Sequence, residues 1–397
     1  MMERVSGICA DALDRSDRMP WSALLALATA AFVTILTEAL PAGVLSQIAA
    51  SLRVSESLAG QFVTFYALGC VVATIPLAQA VRRYRQRSVI LVAIAGFAIV
   101  NAATALSDSY PLTLIARFLA GAISGLLWAQ VAGQASRISP AHLRGRAISI
   151  AMLGIPAALS FGIPAGTLIS LSIGWRATFG IMSGVSLLLI GWVVFAVPDL
   201  PRDESVKHSP ICKVIGIAGF RSVLGAMVCF VLAHNVLYTY IAPFVAPSGL
   251  ASNVDVVLLL FGAAALVGMF ATGALIDRFL RGLTLASITL FFVATVALTI
   301  WSTHPTVVYF ATVVWGLAFG GAPALYQTAS AHVSGDDADV AQSIVVTTWN
   351  AAIAAAGILG GLMLDYLGVA AFAWPLAGLL FLAFVAVFRA RKRGFPG

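Results

Sequence analysis

Apolar runs of about 18 residues or more, broken by Pro, Gly or charged residues, recur twelve times along the chain. They predict helices over 21–47, 58–80, 88–107, 111–135, 147–170 and 178–197, then over 219–245, 253–275, 283–302, 306–328, 341–364 and 371–388. At about 1.5 Å rise per residue, runs of this length match the hydrocarbon thickness of a bilayer. The connections are short apart from the stretch that begins Pro198-Asp199-Leu200-Pro201-Arg202 and reaches Gly219, the natural boundary between two sets of six. The expected organisation is a tail over 1–20, a six-helix half over 21–197, a connecting loop over 198–218, a second half over 219–388 and a tail over 389–397.

An internal repeat supports the two halves. An offset of 195 residues places Arg83 on Arg278, Gly121 on Gly316, Gly125 on Gly320, Gly162 on Gly357 and Gly166 on Gly361, across four helices without a gap. The fold class expected is therefore an all-α membrane protein, twelve transmembrane helices in two pseudo-symmetric halves. Parallel six-helix repeats with a site near the midplane between them are a recurring transporter plan, in which the halves rock against each other.

Composition adds exclusions. Hydrophobic residues make up 60% of the 397 and charged residues only 10%, too few to build a water-facing surface. The formal charge of +7 does not indicate a nucleic-acid partner, because the basic residues fall in short clusters between apolar runs. All 23 except Arg53, Arg117 and Arg176 lie in the tails and the even-numbered connections, so the positive-inside rule puts both termini in the cytoplasm. The connection after the tenth run carries Asp336, Asp337 and Asp339 without Lys or Arg, and acids weigh little in that rule. Four cysteines lack metal or redox spacing. None of the three lysines follows a glycine-rich loop, and no metalloprotease or nucleophile-elbow pattern occurs, so neither an ATP-driven pump nor an enzyme is expected, and no cofactor.

Candidate chemistry concentrates in a few polar residues within the runs. Glu38, in Thr37-Glu38-Ala39-Leu40-Pro41-Ala42-Gly43, is the only acid in the middle of a long apolar segment. An ionisable group there is costly and reads as a proton or cation handle; a helix end one turn earlier would instead leave it facing water. The seventh run carries His234, Asn235, Tyr238, Tyr240 and Pro243, and the i, i+4 spacing puts His234 and Tyr238 on one face, able to hydrogen-bond a polar solute. A structural role for a lone histidine is equally compatible with its surroundings. Gln130, Gln327, Trp349 and Asn350 are further substrate-facing candidates.

Three motifs complete the reading. The connection after the eighth run is Gly273-Ala274-Leu275-Ile276-Asp277-Arg278-Phe279-Leu280-Arg281; the equivalent after the second has Ala78 for the glycine and Arg82 for the acid, followed by Arg83. The fourth run contains Arg117-Phe118-Leu119-Ala120-Gly121-Ala122-Ile123-Ser124-Gly125, whose arginine and glycines share a face, and the fifth contains Gly162-Ile163-Pro164-Ala165-Gly166. In these motifs the chain resembles the major facilitator superfamily over essentially its whole length, and within it the twelve-helix drug/proton antiporters near the bacterial sugar-, nucleoside- and drug-efflux members. The resemblance implies gating roles for Gly273, Asp277, Arg278, Arg281 and Arg83, an exporter-marking bend at Gly162, Pro164 and Gly166, and a location in the inner membrane of a bacterium, as a monomer.

The combined expectation is a proton-coupled secondary transporter that exports a small solute, a sugar, nucleoside or drug-like compound, by alternating access. An uncoupled or importing facilitator is the rival within transport, and a membrane sensor with a transporter-like body the rival outside it. By helix rise Glu38 lies about 12 Å below an end near Ser46 and Arg117 about 10 Å below an end near Tyr110, so the two charges share a depth. They are expected to pair in one state and separate when Glu38 takes a proton. Snorkelling of Arg117 toward the interface is the other reading.

Overall fold

The helix breaks are set by residues that cannot continue an α-helix. A computed structural model describes residues 19–81, 84–140, 143–199, 211–217, 219–391 and 394–395. Trp21–Gly43 (α1) follows Pro20, and a separate short helix, Leu45–Leu52, ends at Arg53 in the left-handed region. Then come Glu56–Ala80 (α2), Gln86–Leu106 (α3), Tyr110–Arg137 (α4), Arg146–Ile173 (α5) and Trp175–Ala196 (α6). The second set is Phe220–Thr239 (α7), Ala251–Ile276 (α8), Arg278–Ile300 (α9), Pro305–Ser334 (α10), Ala338–Leu367 (α11) and Ala373–Arg389 (α12). Among the described residues there is no strand, and eleven of these helices are long and apolar enough to cross a membrane, with α12 a shorter apolar helix.

Three departures from the expected spans have local causes. The seventh run does not continue unbroken to 245. It stops at Thr239 and resumes as Ile241–Val245, because Pro243 has no N–H for the Thr239 carbonyl. In α10 the helix breaks between Gly320 and Ala322, where Pro323 removes the donor for Phe319. In α5 a π-helical turn over Ala158–Gly162 lies between Pro156 and Pro164, the usual way a membrane helix absorbs freed carbonyls while bending. The predicted break between α8 and α9 is only a kink at Phe279 within one long helix.

Within each set one helix pair approaches very closely. A Cβ at Gly121 of α4 would collide with the Tyr66 carbonyl of α2, and one at Gly316 of α10 would collide with the Phe261 carbonyl of α8. Tyr66 and Phe261 are themselves 195 residues apart, so the repeat read from glycines is a repeat of contacts. Small residues at such seams let backbones touch, which is how helices associate without a hydrophobic driving force. The exterior is apolar: Phe195 is 91% exposed and Leu106 82%, as lipid contact requires and water would not permit.

The two sets meet along α2 with α11 and α5 with α8. At the end of the bundle opposite the start of α1 and the end of α12, Gln61 Nε2 donates to the Gly357 carbonyl at 3.2 Å. Near mid-depth, Ser160 Oγ in the π-turn donates to the Gly262 carbonyl at 2.8 Å. Glycines again form the seam, since side chains at Gly60, Gly357 or Gly361 would strike Tyr240, Thr64 and Ser57 respectively. The halves are therefore closed against each other at this far end.

Candidate functional site

Glu38 sits five residues before the end of α1, partly buried, where α1 faces both halves. Tyr66 and Cys70 of α2, Arg117 of α4 and Tyr238 of α7 all lie within electrostatic range of its carboxyl group. The acid is thus positioned where one half looks at the other.

Arg117 is fully buried, which rules out snorkelling in this state. Its guanidinium does not form an ion pair with the Glu38 carboxylate: the ion pairs among the described residues are Arg85–Asp199, Arg176–Asp108 and Lys213–Asp337. Nη2 instead donates to the main-chain carbonyl of Thr37 at 2.5 Å, with the Glu38 carbonyl at 3.4 Å. The reason lies four residues along the helix. Pro41 occupies the position whose N–H would have served Thr37, so that carbonyl is free, and leaving it bare in the interior would cost about 1–3 kcal/mol. Arg117 covers it. Nε reaches the Phe62 carbonyl at 3.4 Å, the rings of Tyr66 and Phe179 lie 5.1 and 5.7 Å from the guanidinium carbon, and Nη1 is buried without a partner. Shared depth therefore correctly brings Arg117 to the Glu38 turn, but to its backbone rather than its carboxylate.

Two further residues fasten the same turn, and sequence reading passed over both. Asn101 of α3 donates Nδ2 to Thr37 Oγ1 at 3.1 Å, and the Tyr66 hydroxyl donates to the Thr34 carbonyl at 3.3 Å. Asn101 is fully buried in the last third of α3, and its polarity within an apolar run was the one trace of it in the sequence.

On α7, His234 is held by aromatic rings. Phe319 stacks on it with centroids 3.6 Å apart and planes 11° from parallel, and Tyr238, Phe261 and Trp315 surround it. Trp315 Nε1–H donates to His234 Nδ1 at 3.1 Å, which fixes the neutral tautomer and leaves Nε2–H as the ring's remaining donor. Asn235 spends one amide proton on the Val231 carbonyl, and Asn350 does the same with Val346. Gln130 is buried with Oε1 unpartnered, Trp349 is half-buried, and Gln327 is exposed, its main-chain carbonyl accepting from Gln342 Nε2. Tyr240 is placed differently from its neighbours: it is fully buried at the far-end seam, its hydroxyl already bonded to main-chain carbonyls.

The gating candidates also separate. Arg281 donates to the Phe388 carbonyl of α12 at 3.1 Å and lies over the Phe388 ring. Arg278 is exposed, and a side chain at Gly273 would meet open space, so close packing does not require that glycine. The Asp277 side chain and Arg83 lie outside the described residues. Gly162 and Gly166 receive Phe32 and Leu40 of α1, so the bent α5 packs on the helix that carries Glu38.

Comparison with known proteins agrees with this architecture. The sequence profile of the Major Facilitator Superfamily matches residues 27–338 and again 254–396. The chain belongs to the major facilitator superfamily. It is 28% identical over 387 residues to the purine ribonucleoside efflux pump NepI of Salmonella enteritidis PT4, covering 96% of each chain. It is also 28% identical over 364 residues to NepI of Escherichia coli K12, covering 91% of each. Among solved structures, a bacterial homologue of the human lysosomal transporter Spinster, in an inward-facing and unoccupied conformation, superposes with a TM-score of 0.69 at 15% identity. That match covers 94% of this chain and 96% of the other, and it shows the shared fold. As a superfamily member the protein is a multi-pass small-solute transporter and not an enzyme.

Proposed function

We propose that the protein exports a neutral heteroaromatic solute of the purine ribonucleoside class from the cytoplasm of a bacterium, in exchange for protons, by alternating access. The observation that carries this reading is the position of Glu38, a solitary interior acid within electrostatic range of Arg117 in its own half and Tyr238 in the other. A group that both halves sense can report protonation to the equilibrium between facing states, which is what coupling needs. The purine ribonucleoside efflux activity of the similar pumps supports the substrate class, and so does the chemistry of α7: a neutral imidazole donor beside a tyrosine hydroxyl, framed by flat rings, suits a stacked base with acceptor atoms. With the positive-inside orientation, the closed far end is periplasmic.

In proteoliposomes with an imposed pH gradient, the wild type should drive counterflow of a purine ribonucleoside. Glu38→Gln, which mimics the protonated acid, should abolish gradient-driven transport while retaining binding. Full gradient-driven transport by that variant would remove Glu38 from the coupling, and transport indifferent to the gradient in the wild type would favour an uncoupled facilitator.

A further inference from the structure

The partnership of Arg117 is decided by a missing backbone proton. In α1, the helical partner of the Thr37 carbonyl would be the N–H of residue 41, and residue 41 is proline. Arg117 Nη2 occupies that vacancy from α4, Nε is turned toward Phe62 on α2, and Nη1 remains buried and unpartnered. The charged and titratable groups around the neighbouring Glu38 carboxyl are Tyr66 and Cys70 from α2, Arg117 from α4 and Tyr238 from α7. Arg117 is the only cation among them, so whatever occupies its donors determines how strongly the ionised carboxylate is favoured.

We propose that Pro41 is a positioning residue for the proton site: by freeing the Thr37 carbonyl it draws the Arg117 guanidinium onto the backbone of α1 and away from the Glu38 carboxylate. This rests on the reading of Glu38 as the proton site. Asn101 secures the same turn through the Thr37 hydroxyl and keeps the carbonyl in reach. If rocking of the halves reshapes the last turn of α1 around Pro41, the Thr37 carbonyl changes its demand on the guanidinium, and the partnerless Nη1 is the donor poised to turn to the carboxylate. Proline thereby converts a change of helix shape into a change of proton affinity.

The test restores the missing donor. Pro41→Ala supplies an N–H to Thr37 and should release Arg117 toward Glu38. Full-length protein in liposomes is titrated by infrared spectroscopy, following the protonated-carboxyl band that is lost in Glu38→Gln. In Pro41→Ala the midpoint of this band should move to more acidic pH by about one unit, a tenfold loss of proton affinity. In Pro41→Ala combined with Arg117→Gln the shift should vanish, which separates an effect through the guanidinium from a general change of helix shape. A wild-type midpoint in Pro41→Ala, or a shift that persists without Arg117, overturns the inference while leaving Glu38 as the proton site. Absence of any titrating band in the wild type that depends on Glu38 overturns instead the reading on which it rests.

Discussion

The Tyr240 hydroxyl donates to the main-chain carbonyl of Gly357 at 2.7 Å and lies 3.4 Å from that of Ser57, so one phenol reaches a carbonyl of its own half and one of the other. The ring is clasped by Gly60 on one side and by Gly360 and Gly361 on the other. This places Tyr240 in the seal between the halves rather than among the groups offered to a substrate. The bond to Gly357 lies within the second half, whereas the contact with Ser57 crosses between the halves and survives only in the far-end-closed state.

Removing the hydroxyl should therefore loosen the seal without disturbing its packing. Tyr240→Phe removes the cross-half contact with Ser57 and is expected to favour the far-end-open state by about 0.5 kcal/mol, roughly twofold in population. Spin-label distances between α2 and α11, measured at the far end, would report the change. Wild-type distance distributions in the variant would show that the bond does not bias the equilibrium.

The glycine seams give a prediction about stability. Gly121→Ala and Gly316→Ala each push a methyl group into a facing carbonyl, at equivalent places in the two halves, and should cost about 1–3 kcal/mol apiece. Gly180→Ala, in open space on α6, should cost nothing and provides the control. Thermal unfolding in detergent should lower the melting temperature for the first two only. Equal melting points across all three would mean that the seams relax freely.

The tautomer of His234 is held from α10, so recognition should depend on a residue that need not touch the solute. Trp315→Phe keeps an aromatic ring and deletes the donor to Nδ1. Affinity for a purine ribonucleoside, measured by equilibrium binding, should weaken by about fivefold, or roughly 1 kcal/mol. Undiminished affinity would leave the Trp315–His234 bond a purely structural one.

Topology remains a prediction from charge. A reporter fused after Gly397 should be active only in its cytoplasmic form, because the clusters after α2 and α12 favour the inside. Periplasmic activity would reverse the assignment of the two ends.

The helices were legible in the sequence because a bilayer demands long apolar runs and tolerates few exceptions. The superfamily was legible because its glycine and arginine motifs record close approach, and the Tyr66–Gly121 and Phe261–Gly316 contacts show that approach directly. Side-chain partners were less accessible. Pro41 stood in plain view, and the freed Thr37 carbonyl follows from chain geometry, but which group would cover it depends on the rotation of α4 against α1. Tyr240 was grouped with His234 and Tyr238 by residue type along one run. The interruption at Pro243, together with the far-end position of residue 240, turns its hydroxyl into the interface instead. Asn101 escaped notice because a single amide in an apolar helix has no periodicity to betray it.

Glu38 being alone has an electrical consequence. On the proposed cycle a single interior carboxyl carries no more than one proton per turnover, and a neutral nucleoside takes no charge out in return. Each turnover then moves one positive charge inward, and membrane voltage adds about 2.3 kcal/mol per 100 mV to the pull of the pH gradient. Export should consequently continue when the inside and outside pH are equal, provided the interior is negative, and a monocationic analogue of the same solute should lose this voltage dependence.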